Sequence, residues 1–397
     1  DSDEGGIIMR DVAVIGVGVT KFGELWDKSF RDIGVNAGMM AMADAGLSGS
    51  EVDALFIGNM SAGRFINQQN IGAMIADYAG FALNHIPSTR IEAGAASGGI
   101  AFRQGVMAVA SGMHDIVVVG GAEKMTDVDD ASSNSILDST ADQQWEASMG
   151  ATMASLFAMI ARRYIHEGLA TREEIASVSV NGHAHGALNP NAQFRKAIKL
   201  ESVLRSGMVA DPLGLFDCAP ISDGAAAVIL CPMDKAKEYT DNPVRVAAVT
   251  QASDTLALFQ RDSITSFASS RIAAERAFAA AKLSPSDISV AEVHDCYSIE
   301  GLMAVEDLGL YGRGKGGKAF LEGQTLFDAG KIAINTSGGL KARGHPIGAT
   351  GVAQIVEIAE QVRGTADKRQ VKGARYGMTL NLGGTGSAAT VSILEGI

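Results

Sequence analysis

Two histidines and one cysteine stand in segments whose composition is suited to catalysis. Gly344-His345-Pro346 lies in a glycine-dense turn, after an apolar run and before an apolar helical pattern. A histidine between a glycine and a proline sits on a backbone shaped to present its side chain. We therefore predict an acid or base at a junction between a strand and a helix. A turn histidine bonded only to local backbone is the alternative for His345 taken alone.

His294 and Cys296 follow the apolar run Val290–Val293. Because residues i and i+2 of a strand share one face, both side chains are expected at the carboxyl edge of a sheet, where ligands bind in α/β folds. Such a pair can move protons. The alternative is a hydrogen-bonded core histidine beside an inert thiol. A zinc site is disfavoured, because the sequence shows no two further ligands at suitable spacing.

A second glycine-rich junction, Ile91–Phe102, has a similar shape but holds alanine where a nucleophile is expected. There, Ala96-Ser-Gly-Gly99 precedes an apolar helical pattern. The free N–H groups of a helix N-terminus lower the pKa of a thiol placed there and stabilise a carbonyl oxygen that becomes anionic. Ala95 supplies no thiol. Simple packing of a helix against a sheet is the alternative explanation of this segment.

The elements that must position these residues occur twice along the chain. Three pairs of segments match in the same order: Ala45–Val52 with Ala281–Ile288, Ala96–Gly99 with Thr336–Gly339, and Gly224–Leu230 with Gly386–Leu394. The first two pairs are about 240 residues apart, and the third pair is closer. These matches indicate two copies of one βα unit, with extra residues before Gly224 in the first copy.

Nine segments have the composition of strands, and several are apolar throughout, as expected for strands covered on both faces. They are Val12–Val17, Ala54–Ile57, Asp115–Val119, Ala225–Cys231, Val244–Val249, Val290–Val293, Lys331–Asn335, Gly377–Leu382 and Ala388–Leu394. Their alternation with alanine-rich helical patterns predicts an α/β fold. We expect a first half at 9–121 plus 222–240, a second half at 241–397, and an inserted cap at 122–221 that contains a helix at Met153–Ile165 and turns at His183–Arg195.

Composition limits the partners and the compartment. The 397 residues are 47% hydrophobic and 20% charged, which is ordinary for a globular protein. A net charge of −12 argues against nucleic acid, since phosphate binding needs a basic face. No apolar run reaches membrane-spanning length, and the first residues are acidic, unlike a secretory signal. Cys218, Cys231 and Cys296 lie far apart, so free thiols in a reducing, cytoplasmic setting are expected.

The sequence resembles the thiolase family, most closely its archaeal and sterol-carrier-protein type, from Val12 to the C-terminus. The segments that carry the resemblance are RIEAGAASGG at Arg90–Gly99, MGAT at Met149–Thr152, GALNPNAQFRK at Gly186–Lys196, SDGAAAVIL at Ser222–Leu230, AEVHDCYS at Ala291–Ser298, GGLKARGHPIGATG at Gly338–Gly351 and NLGGTG at Asn381–Gly386. The resemblance implies a five-layered αβαβα fold of two similar βα halves with an inserted cap domain. It also implies an acyl-coenzyme A (CoA) substrate; neither a covalently bound cofactor nor a metal is expected.

The resemblance further implies roles for single residues. The family's nucleophilic cysteine falls at Ala95, His345 would activate that thiol, and Cys296 would be the acid/base at the substrate α-carbon. His294 and His345 would hold the first oxyanion, and the backbone N–H groups of Ala95 and Gly383 the second. Expected substrate contacts come from Met149, Tyr297, Gly338 and Gly339.

Ala95 departs from the family pattern, because a methyl group cannot attack a thioester. Asn381, where many thiolases have a second cysteine, fits the branch in which Cys296 takes that duty. Three explanations of Ala95 stay open: an engineered replacement of cysteine, a thiolase-fold retro-aldolase or lyase, and a non-catalytic acyl-CoA-binding subunit. Retention of His345 weighs against the second, whose members tend to have tyrosine there. Retention of His294, Cys296 and His345 together weighs against the third.

The resemblance also implies partners. A homodimer or homotetramer is expected, and members of this branch often work with a small zinc-containing OB-fold protein. Acetoacetyl-CoA is the default substrate, with the cap deciding the acyl group.

Overall fold

Apolar runs that end at glycine or polar turns form the strands of one mixed sheet. The computed structural model describes residues 9–329 and 331–397, so the acidic leader before Met9 lies outside the described residues. The strands are β1 Val12–Val19, β2 Ala54–Gly58, β3 Ser88–Ile91, β4 Val117–Glu123, β5 Met208–Ala210, β6 Leu213–Gly214, β7 Gly224–Pro232, β8 Val244–Ser253, β9 Val290–Val293, β10 Ala333–Ile334, β11 Tyr376–Gly383 and β12 Ala388–Gly396.

Helices alternate with these strands, as the sequence pattern predicts. They are α1 Phe30–Asp44, α2 Ala62–Phe65, α3 Ile71–Tyr78, α4 Ser97–Ala110, α5 Asp130–Asp138, α6 Met153–His166, α7 Arg172–Gly186, α8 Leu200–Leu204, α9 Ala268–Ala281, α10 Ser298–Asp307, α11 Gly316–Leu321, α12 Gly339–Ala342 and α13 Ile347–Arg363. No helix among the described residues has both the length and the apolar character needed to cross a membrane.

The two halves of the sheet repeat one topology. The strand order is β10-β9-β11-β12-β8-β1-β7-β4-β2-β3, and β5 pairs separately with β6. When the five sheet strands of each half are numbered along the chain, both halves have the order 3-2-4-5-1. The fifth strand of each half, β7 or β12, runs antiparallel to its neighbours. The halves meet where Ala13 and Val14 of β1 pair antiparallel with β8.

Helices cover both faces of this sheet in layers. The α4 and α13 helices pack against each other and against strands of both halves, while α1 covers β1, β4 and β7, and α9 covers β8 and β12. Strands buried on both faces are apolar throughout, and all nine residues of β7 are buried. Because α4 and α13 contact strands of both halves, they form a central layer between the two halves of the sheet, and α1 and α9 lie on the outer faces. The layers are therefore helix, half-sheet, helix, half-sheet and helix, so the predicted five-layered αβαβα fold is confirmed.

Glycines let the two central helices approach each other very closely. An added Cβ at Gly351 in α13 would lie 2.2 Å from the nitrogen of Gly99 in α4. An added Cβ at Gly98 would lie 2.8 Å from the carbonyl oxygen of Gly348. The glycines of the two helix N-termini are therefore required by packing, and they bring the residues just before each helix to the same end of the molecule.

Between β4 and β7 the chain forms helices α5 to α8 and the β5–β6 hairpin. The α7 helix packs against α10, α11 and α12, which ties this inserted segment to the second half. The predicted helix at Met153–Ile165 is present as α6. The turns expected from His183 onward were placed too early, because α7 is helical through Gly186. Histidines at 183 and 185 occupy its last turn, and burial lowers the pKa of both.

Replacing Gly351 by alanine should destabilise the fold. The new methyl group would overlap Gly99 N and the Asn381 Oδ1 atom, which lies 2.3 Å from the added Cβ position. Overpacking of this kind costs about 1–3 kcal/mol of unfolding free energy. The matched control is Gly38→Ala in helix α1, where an added Cβ meets nothing within 4 Å. Denaturant unfolding should show a lower midpoint for Gly351→Ala and an unchanged or higher one for the control. Equal midpoints would contradict the packing argument.

Candidate active site

Five residues singled out in the sequence line one cavity at the junction of the two halves. They are Ala95, His294, Cys296, Tyr297 and His345, around a volume of about 70 Å³. The other walls are largely apolar and come from both halves and the inserted segment: Met60, Met125, Leu137, Thr140, Met153, Ala219, Pro220, Ile221, Ile347 and Gly384. Side chains distant along the chain can therefore contact one small molecule.

Ala95 lies in the tight turn between β3 and α4. Gly94 adopts a positive φ of 58°, a conformation that favours glycine. The Ser97 hydroxyl donates to the Gly94 carbonyl at 2.5 Å and accepts from the Ala93 N–H at 3.0 Å. The turn is thus fixed by its own hydrogen bonds, and the methyl group of Ala95 faces the cavity at the N-terminus of α4.

His294 and Cys296 lie in the connection between β9 and α10, just beyond the strand on which the sequence placed them. Two buried groups hold this connection against α12. The Lys341 Nζ donates to the Cys296 carbonyl at 3.0 Å, and burial lowers the pKa of that ammonium group. The Asp295 carboxylate accepts from the Leu340 N–H at 2.7 Å. The thiol and the imidazole are therefore attached to a braced backbone.

The Asn381 amide joins the Ala95 turn to His294. Its Oδ1 accepts from the Gly99 N–H at 2.9 Å, which fixes the orientation of the amide. Its Nδ2 then donates to the Ala95 carbonyl at 2.9 Å and faces His294 Nδ1 at 3.2 Å. Since Nδ1 accepts this proton, a neutral His294 carries its own proton on Nε2. His294 is thereby set as a hydrogen-bond donor through Nε2.

His345 has the opposite tautomer. Its Nδ1 lies 2.7 Å from the Thr350 hydroxyl, which also donates to the Pro346 carbonyl at 3.2 Å. The hydroxyl oxygen therefore accepts the Nδ1 proton, and Nε2 keeps its lone pair. The backbone N–H of His345 donates to the Ser222 hydroxyl at 3.0 Å, which fixes the turn. A neutral His345 can act as a base through Nε2.

Burial keeps both imidazoles neutral. Their ring centroids are 5.1 Å apart with nearly perpendicular planes. Burial lowers the pKa of His294 to about 3, with added effects of the Arg343 and Lys341 charges. Burial also holds the pKa of His345 well below its usual value, and His294 and Arg343 contribute in the same direction. One ring can therefore donate a proton in a hydrogen bond while the other accepts one.

The third polar group in the cavity is the Cys296 thiol. Its Sγ donates to Glu300 Oε2 at 2.8 Å. Burial, together with the Glu300 carboxylate, raises the pKa of this thiol well above its usual value. At neutral pH Cys296 is consequently a thiol that can give up a proton. One nitrogen of His294, the Cys296 sulfur and one Glu300 oxygen lie within 4.8 Å of one another, so a buried carboxyl group accompanies the predicted pair.

Gly383 lies against the turn that carries Ala95. An added Cβ there would be 2.3 Å from the Ala93 carbonyl oxygen. Gly383 lines an adjoining cavity of about 490 Å³, which shares Met60, Thr140 and Gly384 with the first cavity. The two glycine-rich turns, one from each half, therefore meet beside the cavity.

Three expected substrate contacts do not line this cavity. Met149 ends a short 3₁₀ turn with its side chain 77% exposed, and Met153, at the start of α6, takes a place in the wall instead. Gly338 and Gly339 are buried at the start of α12 with φ angles of 102° and 58°. An added Cβ would meet Gly186 backbone at the first and the Asn335 and Asp295 side chains at the second. Both glycines are explained by close packing.

Sequence reasoning missed Glu300, Thr350 and the hydrogen bonds of Asn381. A partial signal exists, since Glu300 follows Cys296 by four residues and Thr350 follows His345 by five, so that helical turns bring each pair together. The two bonds from Asn381 span more than 80 residues and have no local signal. Together the cavity offers a proton acceptor, a hydrogen-bond donor and a thiol around a methyl group, which suits proton transfer next to a polarised carbonyl.

Comparison with known proteins agrees with this arrangement. A family model for the thiolase N-terminal domain matches residues 12–234, and one described as thiolase C-terminal domain-like matches residues 250–396. An acetyl-CoA acetyltransferase of Methanothermobacter thermautotrophicus is 58% identical over 98% of this chain and 100% of that protein. Sterol carrier protein 2 of Gallus gallus is 34% identical over 98% of this chain and 72% of that protein.

A solved structure described as an Ltp2-ChsH2(DUF35) aldolase is also similar. It superposes with a TM-score of 0.84 at 26% identity, over 98% of this chain and 99% of that one. The two family models together span most of the sequence, and the curated relatives match nearly all of it. With this fold and these matches, the chain belongs to the thiolase family.

Proposed function

We propose that this chain is built for acyl transfer to or from CoA, by Claisen condensation or by thiolytic cleavage of a 3-oxoacyl-CoA, and that Ala95 stands in place of the nucleophilic cysteine. The main support is the arrangement around the Ala95 methyl group, where a neutral base, a neutral donor and a thiol face one cavity. The name of the relative from Methanothermobacter thermautotrophicus, acetyl-CoA acetyltransferase, is consistent with CoA thioesters as substrates.

With a cysteine at position 95, His345 Nε2 would take its proton and the thiolate would attack the 3-oxo carbon of the substrate. The backbone N–H groups of residue 95 and Gly383 would hold the resulting oxyanion. Breaking the C2–C3 bond leaves an enolate, whose oxygen would be held by the His294 Nε2–H and the protonated His345. Cys296 would then protonate C2, and CoA would release the acyl group from residue 95.

The size of the cavity supports a short acyl group. A volume of about 70 Å³ is room for about two water molecules at roughly 30 Å³ each. Leu137 and Met153 of the inserted segment close one side, so longer chains would need these side chains to move. We therefore propose acetoacetyl-CoA as the substrate of the cleavage direction, and acetyl-CoA as the substrate of condensation.

We further propose that the chain acts as a homodimer or homotetramer and binds a small zinc-containing OB-fold protein. The homo-oligomer rests on the family resemblance. The second partner is supported by the name of the similar solved structure, which pairs an aldolase with a DUF35 protein.

Ala95→Cys should create thiolysis of acetoacetyl-CoA, because the missing nucleophile would enter a site that already holds its base. Release of acetyl-CoA in the presence of CoA measures the reaction. Ala93→Cys is the matched control, since it adds a thiol on the same turn outside the cavity that His345 lines. Activity in both variants, or in neither, would count against the proposal.

In the Ala95→Cys background, Cys296→Ser and His345→Ala should each lower turnover by at least about 10², since each removes one proton-transfer group. Steady-state kinetics with acetoacetyl-CoA measures the effect. Near-normal turnover in either double variant would refute the role assigned to that residue.

The two imidazoles should show opposite tautomers in the chain as it stands. ¹⁵N NMR of labelled histidines should find His345 protonated on Nδ1 and His294 on Nε2. Neither should gain a second proton as the pH falls through about 6.5, the ordinary pKa of histidine, because burial lowers both pKa values. Exposed His166 is an internal reference for assignment. Protonation of His345 near its ordinary pKa would exclude it as the neutral base described above.

A second candidate is a thiolase-fold aldolase, favoured by the similarity to the aldolase structure and by the absence of a nucleophile at Ala95. This activity needs a base and an enolate site but no acyl-enzyme intermediate. The unaltered chain should then cleave a 3-hydroxyacyl-CoA to an aldehyde or ketone and a shorter acyl-CoA, a reaction followed by product chromatography. No cleavage by the unaltered chain, with thiolysis by Ala95→Cys, would select acyl transfer.

A further inference from the structure

Glu300 is a buried acid that the reaction described above does not use. It lies in the first turn of α10, four residues after Cys296, and 1% of the residue is exposed. Its Oε2 accepts the hydrogen bond from Cys296 Sγ at 2.8 Å. Cys296 lines the cavity and Glu300 does not. The carboxylate therefore lies behind the thiol, on the side away from a bound acyl group.

The surroundings of Glu300 leave the thiol as its main polar contact. Among the described residues, no partner approaches Oε1 within hydrogen-bonding distance. Burial raises the pKa of Glu300 to about 8. The hydrogen bond from the Cys296 thiol lowers this pKa, Asp295 raises it, and Lys341 and the Cys296 backbone N–H lower it. Tyr297 also faces this group, with a pKa that burial holds well above its usual value.

Lys341 is not free to pair with Glu300. Its Nζ donates to the carbonyl oxygens of Asp217 and Cys296, so its hydrogen bonds are directed at main-chain atoms. A carboxyl group that is hydrogen-bonded to a thiol and forms no salt bridge can exchange a proton with that thiol with little movement of either side chain.

We propose that Glu300 is the proton-holding partner of Cys296: the two side chains pass one proton between Oε2 and Sγ, so that the thiol can serve as both acid and base at the substrate α-carbon. This inference rests on the proposed function, since it assumes that an acyl-CoA lies against Cys296. Glu300 acts through Cys296 and is a positioning residue in the reaction.

The proton transfers balance as follows. Starting from a thiol and a carboxylate, the Sγ–H bond breaks and an O–H bond forms on Glu300, which leaves a thiolate. The thiolate takes a proton from the α-carbon, and the electron pair of the broken C–H bond moves onto the thioester oxygen, which faces His294. In reverse, Sγ–H protonates the enolate carbon and the resulting thiolate recovers its proton from Glu300. One negative charge is present throughout.

Proton sharing gives the pair two separate ionisations. The first, at about pH 8, makes the base available because one proton is then left between the two groups. The second produces a lasting thiolate beside a carboxylate, and the charge of Glu300 pushes it to higher pH. Without Glu300, the base that removes the α-proton and the lasting thiolate of Cys296 would both arise from ionisation of the thiol alone. The pH midpoint of α-proton exchange and the pH midpoint of thiolate formation should therefore differ in the unaltered chain and be equal in a variant without the acid.

Loss of deuterium from [²H₃]acetyl-CoA measures the pH midpoint of α-proton exchange, and this reaction needs no nucleophile at position 95. Mass spectrometry of acetyl-CoA incubated with the unaltered chain and a chelator should show an exchange rate that rises around pH 8. Glu300→Gln should lower the rate at that pH at least about tenfold and move the rise to higher pH. The matched control is Glu306→Gln, which removes another buried carboxylate of α10, one bonded to Tyr164.

Alkylation of Cys296 by iodoacetamide tests the second midpoint, with peptide mass spectrometry to separate it from Cys218 and Cys231. Glu300→Gln should move the midpoint of Cys296 alkylation to lower pH, until it coincides with the exchange midpoint. Glu306→Gln should leave both where they are. If Glu300→Gln does not fold, Glu300→Asp withdraws the carboxylate while keeping its charge, and should likewise lower exchange.

The two measurements separate this inference from the proposed function. No exchange by the unaltered chain would overturn the enolate-forming site itself, whatever the alkylation shows. Exchange that Glu300→Gln leaves unchanged, or an unchanged alkylation midpoint, would overturn the role of Glu300 alone. Opposite shifts of the two midpoints would support it, because a loss of structure around Cys296 would not move them towards each other.

Discussion

The contact between the N-termini of α4 and α13 is the constraint on which the rest of the site depends. Helices ordinarily pack 8–10 Å apart, and these two come close enough that even one methyl group at Gly351 would overlap backbone. The residues that precede each helix are thereby brought to the same end of the molecule. Ala95 and His345, about 250 residues apart, reach one cavity because of this contact.

The second requirement is that the buried imidazoles of the site form hydrogen bonds while they stay uncharged. His294 and His345 lie where water cannot solvate a cation, so each is kept neutral and each needs a partner for one ring nitrogen. Asn381 donates to one ring and Thr350 accepts from the other, which makes the two rings chemically different. The polarity of the cavity therefore comes from neutral donors and acceptors with fixed directions, which need no rearrangement as charge develops.

Much of this architecture could be predicted from the sequence, because apolar strands covered on both faces and alanine-rich helices have strong patterns. The β3 strand was missed, since Ser88–Ile91 is a partly exposed edge strand with little apolar signal. The sequence pattern placed the end of β4 before Gly120 and Gly121, but both glycines pair with β7 and belong to the strand. A glycine is needed at 121 because the Gly348 carbonyl of α13 lies against it. Local patterns cannot show that α13 packs against this part of the strand.

Within the site, residue types and turn chemistry pointed to His294, Cys296 and His345, but not to what lies behind them. The Glu300 contact depends on how α10 starts, and the Asn381 contacts depend on the pairing of distant strands. Met149 also stands in a motif of the resemblance, but it is exposed and lies outside the wall of the cavity. Sequence locates the groups that line the cavity better than the groups that support them.

The shared strand order of the two halves has one more consequence. In the first half the third strand leads directly into the central helix α4, whereas in the second half the short helix α12 stands between the third strand and the central helix α13. The Ala95 turn and the turn bearing His345 still hold corresponding places, each just before a central helix. These two turns differ in chemistry, since one carries a methyl group and the other an imidazole. Because each half contributes one of them, the cavity has chemically unlike walls, which two identical halves could not provide.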